Sequence, residues 1–205
     1  MKRKLLISAL LFIAMMWVMH TLSKNFMVDP SFTSFLANKD VALSNQSLWT
    51  LMIQIHIGLA IIALITGPLG LIKRLRIKNL TFHKWNGRLY VLSIVLNFIP
   101  GVYVAFFASG GLPSTIGFLV LNTLWLVTTL RAYIAIRAKK VEEHVTWIIR
   151  SFFLSFANMT IYIILAITHH GFDLAYGLSY TIAVWLCWMI NLLLAEWLIR
   201  RKIMI

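Results

Sequence analysis

The chain has 205 residues, 60% of them hydrophobic and only 12% charged, with a mean hydropathy of +0.86. A water-soluble domain of this length needs far more charge to cover its surface, so that class is excluded. Lysine and arginine outnumber aspartate and glutamate 19 to 6. The positive residues flank apolar runs and do not gather in a polar domain, which argues against nucleic acid as a partner and for contact with anionic membrane lipids.

Six apolar stretches follow in chain order: Leu5–Leu22, Trp49–Ile72, Leu89–Ala108, Thr115–Ile136, Ile148–Thr168 and Leu178–Ile199. Each is long enough to cross roughly 30 Å of hydrocarbon at about 1.5 Å per residue. The expected fold is all-α: a polytopic transmembrane bundle of six helices forming a single integral membrane domain over residues 1–205. The first stretch has the basic start and apolar run of a secretory signal, but no small-x-small cleavage site follows it. Retention as a helix is therefore expected; cleavage would leave five helices. Gly110, Gly111 and Pro113 predict a tight turn between the third and fourth helices. The lone cysteine, Cys187, lies inside the last apolar run and has no intramolecular partner.

Orientation follows from the basic residues. With the N-terminus inside, the inner face receives three at positions 2–4, six between 73 and 88, five between 131 and 150 and three at 200–202. Only Lys24 and Lys39 fall outside. This is the positive-inside pattern, and it predicts a multi-pass protein of the cell membrane with both termini cytoplasmic. Trp17, Trp49, Trp85, Trp147 and Trp197 lie near helix ends, as an interfacial aromatic belt would have them. The outer segment 23–48 contains Asp29-Pro30, a helix-start pair, followed by Phe32, Phe35 and Leu36 on one helical face. A short interfacial helix is expected there, covering the outer mouth of the bundle.

Six histidines are present, three of them where hydrocarbon makes an ionisable side chain costly. His56 lies well inside the second helix, above a small-residue stripe of Ala60, Ala63 and Gly67. Such a stripe serves either close helix packing or a flat cofactor whose metal His56 ligates. His83 begins a face continued by Gly87, Tyr90, Ile94, Asn97 and Gly101. His144 begins another, continued by Trp147, Ser151, Ser155, Asn158 and Tyr162. A polar stripe in lipid must turn inward, so the fifth helix is expected to face the bundle interior, towards the third. His20, His169 and His170 sit at outer helix ends within reach of water, although His170 could complete an outer site with His56. Glu196 precedes Arg200 by one turn, predicting an i, i+4 pair, and Glu142 and Glu143 offset neighbouring basic residues. No nucleophile–base pair, phosphate loop or zinc spacing is present, so whether the chain is an enzyme stays open.

Several motifs together resemble a family of uncharacterised bacterial membrane proteins, domain of unknown function 2306. They are His56-Ile-Gly58 with Gly67-Pro68, His83-x-x-x-Gly87-Arg88-x-Tyr90, Gly117-Phe118 with Trp125, and His144-x-x-Trp147-x-x-Arg150-Ser151. The resemblance covers about residues 50–165. Val145-Thr146 departs from it, standing where basic residues are expected. It implies the membrane architecture and a bacterial plasma-membrane setting, singles out His56, His83 and His144, and brings no reaction.

Three functions fit these residues. The first is a haem-b-binding, cytochrome-like redox protein with a redox partner, its iron ligated by His56, His83 or His144, since imidazole is the common haem ligand in helical bundles. His83 and His144 would share an inner site, and His56 would serve an outer one. The second is a lipid-headgroup or small-anion binding or transport protein with a cationic inner pocket of His83, Arg88, His144 and Arg150. The third is a structural or partner-binding bundle whose histidines satisfy one another.

Overall fold

The computed structural model describes residues 2–37, 39 and 42–202. Every regular element among them is helical, and six helices are long and apolar enough to cross a membrane. Residues 38, 40 and 41 of the expected outer segment lie outside the described residues.

Helix α1 (Lys2–Leu22) continues through a π-helical turn, Ser23–Val28, so the first span runs past its expected end. A single turn, α2 (Thr33–Leu36), follows in the segment where an interfacial helix was expected. Helix α3 (Gln46–Leu71) and the short basic α4 (Lys73–Lys78) come next, then α5 (Leu80–Ala105). Both long helices start earlier than hydropathy predicts, because polar residues cap them. Asn45 Oδ1 accepts the Leu48 N–H at 3.0 Å, and Asn79 Oδ1 accepts that of Phe82 at 2.9 Å. His83 is therefore inside the first turns of α5. Gly110 and Gly111, with φ of 84° and 65°, make the predicted turn into α6 (Gly111–Arg137). A Cβ on Gly110 would lie 2.6 Å from the Gly177 carbonyl oxygen, so only glycine fits that approach to the start of the last helix.

The fifth span comprises α7 (Val141–Leu154) and α8 (Ala157–Leu165), ending in a π-helical turn, Ala166–Gly171. Between α7 and α8 the helix tightens: the N–H groups of Ser155 and Phe156 bond carbonyls three residues back, each at 3.1 Å. Helix α9 (Tyr176–Arg200) closes the chain, with Cys187 fully buried and its thiol directed at the Val184 carbonyl.

The fifth span is the axis of the bundle. Fifty-six per cent of its apolar window is buried inside the protein, against 17% for the first span, which packs chiefly on α3 and leaves most of its surface to lipid. Two apolar cores result. One joins α1, α3 and α7 around Trp49, Phe152 and Phe156; the other joins α5, α6, α8 and α9 around Tyr90, Trp125 and Val184. The side carrying α2 is the loop end of the bundle and the side carrying α4 its basic end.

The small-residue stripe of α3 divides between its two expected uses. Ala63 is fully buried, and a Cβ on Gly67 would stand 2.5 Å from the Phe152 ring and 3.2 Å from Tyr90. Gly67 is therefore a close-packing point, whereas Ala60 lines a cavity. Gly67→Ala is expected to destabilise the protein in detergent by about 1–3 kcal/mol through overpacking. Gly58→Ala, whose Cβ meets nothing within 4 Å, is expected to be neutral or up to about 1 kcal/mol stabilising. Thermal unfolding followed by circular dichroism separates the two; equal effects would refute the packing assignment.

Candidate functional site

The loop-end half of the bundle encloses a cavity of about 460 Å³ to which all six spans contribute. Its walls are mostly apolar and aromatic: Phe35, Ile53, Ile57, Phe118, Leu121, Leu154, Ile161 and Tyr180. Set among them are a few polar groups, from His56, Asn122, Trp125, Ser155, Asn158 and Tyr162. Gly101 shapes this lining, since a Cβ there would stand 2.7 Å from Asn122 Oδ1. The mouth carries Lys24, Asp29, Lys39 and His170.

His56 is the polar group deepest in α3, ten residues beyond its first residue, or roughly 15 Å along the axis. Its ring is only partly covered, because one side faces the cavity. The Nδ1 atom is enclosed and has no hydrogen-bond partner among the described residues. The Asn97 amide of α5 stands within reach of the His56 ring, and its polar atoms are buried with no other partner among the described residues. Nε2 is thus the ring nitrogen left open to the cavity. Trp125 brings a further buried indole N–H with no acceptor. Buried polar atoms are nearly always paired, and two of the residues that line this cavity, His56 and Trp125, carry one that is not.

Beneath the cavity the polar stripe of the fifth span turns inward, as expected. Ser151 Oγ lies 2.7 Å from Tyr90 Oη and 2.6 Å from Thr129 Oγ1. Thr129 donates its one proton to the Trp125 carbonyl at 2.7 Å. Ser151 must then donate to Thr129, and Tyr90 to Ser151. This oriented chain ties α5, α7 and α6 together under the floor, and because it ends on a carbonyl it is a structural knot. Thr160 adds a similar bond to Asn191 of α9 at 3.0 Å.

At the loop end, residues 29–37 form a strap over the mouth. The Asp29 carboxylate accepts from the Thr33 N–H at 2.7 Å, the Thr33 hydroxyl at 2.8 Å and the Ser34 N–H at 2.9 Å. Asp29 is the expected cap, but the helix it caps starts at Thr33 and Pro30 is outside it. Phe32, at φ 56°, and Phe35 close on Trp49 with ring centroids 5.8 Å away in both cases. Trp49 is fully buried by this contact. It anchors the strap and is no part of a lipid-facing belt, unlike Trp85 and Trp197, which are exposed.

His83 and His144 lie apart from the cavity, near the basic end, both half-buried and close enough for their charges to interact with each other and with Arg76 of α4. His144 Nδ1 lies 2.9 Å from the Ala132 carbonyl. A carbonyl only accepts, so Nδ1 carries the proton and Nε2 of the neutral ring keeps its lone pair. The two arginines expected beside them are engaged elsewhere. Arg88 is exposed, its guanidinium 4.9 Å from the Trp85 ring centroid. Arg150 stacks on Trp147 at 4.4 Å and pairs with Glu196. That ion pair replaces the expected Glu196–Arg200 contact, whereas Lys140–Glu143 forms at 3.0 Å as expected. His20 stacks on Trp17, and His169 bonds the Leu174 carbonyl at 2.7 Å, so both have local roles. No group of three or more histidine, cysteine or acidic side chains able to hold a bare metal ion occurs among the described residues.

Sequence reasoning found His56 and the stripe but missed Asn122, Arg76 and the part played by Lys24 and Lys39. The available signal was that the positive-inside pattern leaves only these two lysines on its other side. The motif residues divide between the two ends: His56, Phe118 and Trp125 line the cavity and Gly67, Tyr90 and Ser151 pack under it, whereas His83, Arg88, His144 and Arg150 lie away from it. A family model described as predicted membrane protein (DUF2306) matches residues 53–199. The chain belongs to that family. The match extends past the motif-bearing region through most of α9. No curated protein and no solved structure gives a significant match.

Two outcomes test this geometry. Ser151→Ala strands the buried Tyr90 hydroxyl and is expected to cost about 1–3 kcal/mol in detergent unfolding, more than Tyr90→Phe, which leaves Ser151 bonded to Thr129. The reverse order would refute the oriented chain. The hydrogen bonds from Ser34 and Thr33 hold the Asp29 carboxyl down at about 2, below its ordinary 3.8. A depressed carboxylate stabilises the folded strap fully above the ordinary value and loses that contribution as pH falls towards 2. Amide exchange at residues 33–37, corrected for intrinsic rates, should be constant above about pH 4 and accelerate below it. Asp29→Ala should show fast exchange at every pH; a pH-independent wild type would remove the cap.

Proposed function

We propose that this is a haem-b-binding, cytochrome-like membrane protein in which the loop-end cavity takes the porphyrin and His56 Nε2 is the protein's ligand to its iron. The observation that carries this reading is His56 itself: a deep imidazole with one nitrogen open to an aromatic-walled hollow and the other enclosed beside Asn97. A ligating histidine commonly has its second nitrogen held by a neighbouring polar group, which fixes ring orientation. The cavity volume falls within the roughly 300–1,000 Å³ of ordinary ligand sites, which are likewise mostly apolar with few convergent polar atoms. His170 lines the same cavity at its mouth and is the candidate second ligand. When bound, haem supplies a one-electron iron couple whose potential follows its ligands and its burial. The chain's own contributions are to orient His56, to exclude water with Phe35, Phe118 and Tyr180, and to hold the bundle rigid beneath through Ser151.

The bond from His144 Nδ1 to Ala132 favours a further imidazole site at the basic end. It leaves Nε2 of His144 as a free lone pair near His83.

The test is the absorption spectrum of protein purified in detergent from haem-replete cells, first oxidised and then reduced with dithionite. A Soret band and reduced α-band are expected, lost in His56→Ala and restored to that variant by added imidazole. Bands surviving His56→Ala but lost in His83→Ala or His144→Ala would move the site to the basic end. A colourless wild-type protein would overturn the haem reading altogether.

A further inference from the structure

The loop-end cavity is closed on two sides by different means. Towards the loop end the strap lies over it, held by the Asp29 cap and by Phe35 stacked on Trp49. Sideways, the cavity runs into a seam between the first and fifth spans. Lys24 and Asn25 line it from the first span, and Tyr162, Ala166 and His170 from the fifth. Both borders of the seam are π-helical, over Ser23–Val28 and Ala166–Gly171, a form that recurs at functional sites. Helix α1 packs chiefly on α3 and α8 on α9, so side chains and not packed helices close the seam. The closing group is Tyr162. Its ring meets Trp17 edge-on at 5.5 Å between centroids and lies 6.1 Å from His20. Lys24 Nζ donates to its hydroxyl at 3.0 Å. Tyr162 is only half-buried, and Ala166 and His170 are exposed although they line the cavity. Their chain neighbours Ile163 and Ile167, like Met16 and Met19 beside Trp17 and His20, are apolar and exposed, so the seam lies among lipid-facing side chains.

We infer that this seam is a lateral portal through which the cavity exchanges an apolar or amphipathic ligand with the bilayer, and that the Tyr162 side chain is its gate. The ligand is then a molecule dissolved in the membrane and not a solute of the aqueous phase. Such a molecule reaches the cavity without passing the strap. Opening the gate takes a side-chain rotation, a far faster motion than parting two packed helices. The inference rests on the reading of the cavity as a ligand site and goes beyond it, since it holds for haem b and for any other apolar ring.

The experiment uses the full chain in phosphatidylcholine vesicles, with an aryl diazirine dissolved in the bilayer as the probe, and two double-cysteine variants. His20→Cys/Tyr162→Cys spans the seam. Pro30→Cys/Gln54→Cys pins the strap to α3, where the Gln54 amide donates to the Pro30 carbonyl at 3.3 Å. Each pair is bridged with a short bis-methanethiosulfonate and released by reduction; Cys187 is fully buried and does not compete. After photolysis, mass spectrometry reads the labelling of Leu121, Leu154 and Ile161, which line the cavity and are otherwise buried. Wild type and the strap-bridged variant are expected to label alike. The seam-bridged variant should label about ten-fold less and recover on reduction, which also verifies its fold. A seam bridge without effect, a strap bridge that blocks labelling, or a wild type labelled at Ile163 but not at these three residues would overturn the inference. Uptake of haem b from the same vesicles separates the two readings. Labelling without haem uptake overturns the haem reading alone, and haem uptake at equal rates with the seam open and bridged overturns the portal alone.

Discussion

Hydrocarbon offers a polar group no partner, so every hydroxyl, amide and ring nitrogen carried into a span must find one within the protein. That constraint organises this bundle. Threonines 66, 128, 129 and 168 each bond a carbonyl one turn back in their own span. Asn86 reaches across to the Thr66 carbonyl, and Tyr90, Ser151 and Thr129 complete one another across three helices. The fifth span, with Ser151, Ser155 and Thr160 turned to the bundle centre, is the most enclosed. Two residues that line the loop-end cavity, His56 and Trp125, break the rule, as do Asn97, Trp49, Trp188 and Asn191 elsewhere in the bundle.

The same contrast separates the two ends of the molecule. At the basic end, charge is dealt with locally, by Arg150 on Glu196 and Trp147 and by Arg88 on Trp85. At the loop end, a one-turn helix clasped by Asp29 is pressed onto a fully buried tryptophan, and the cavity lies behind it. The first is surface chemistry of the kind a membrane interface requires; the second closes a chamber.

Most of the architecture was legible from hydropathy, because six long apolar runs admit few other folds. Helix starts were misjudged where Asn45 and Asn79 cap polar first turns, since a hydropathy window reads such turns as loop. His56 stood out because an imidazole that deep needs a reason, and the inward polar stripe because lipid permits nothing else. Sequence spacing failed where partners are distant. Glu196 has an arginine one turn ahead, and that local pairing hid its contact with Arg150, 46 residues away. Trp49 reads as belt in the sequence because its partners, Phe32 and Phe35, lie in a segment whose path no periodicity reveals. Lys24 and Lys39 counted only as exceptions to a charge rule, and their meeting at one opening is a fact of tertiary structure.

The single thiol has a practical meaning. Cys187 is sealed inside α9 with no accessible surface, so maleimides and methanethiosulfonates applied to intact membranes would find nothing to modify in the native chain. Cysteines introduced one at a time into the strap or into α4 would each be the sole reactive group. Reagents that cannot cross the bilayer would then report directly which compartment the chamber opens toward.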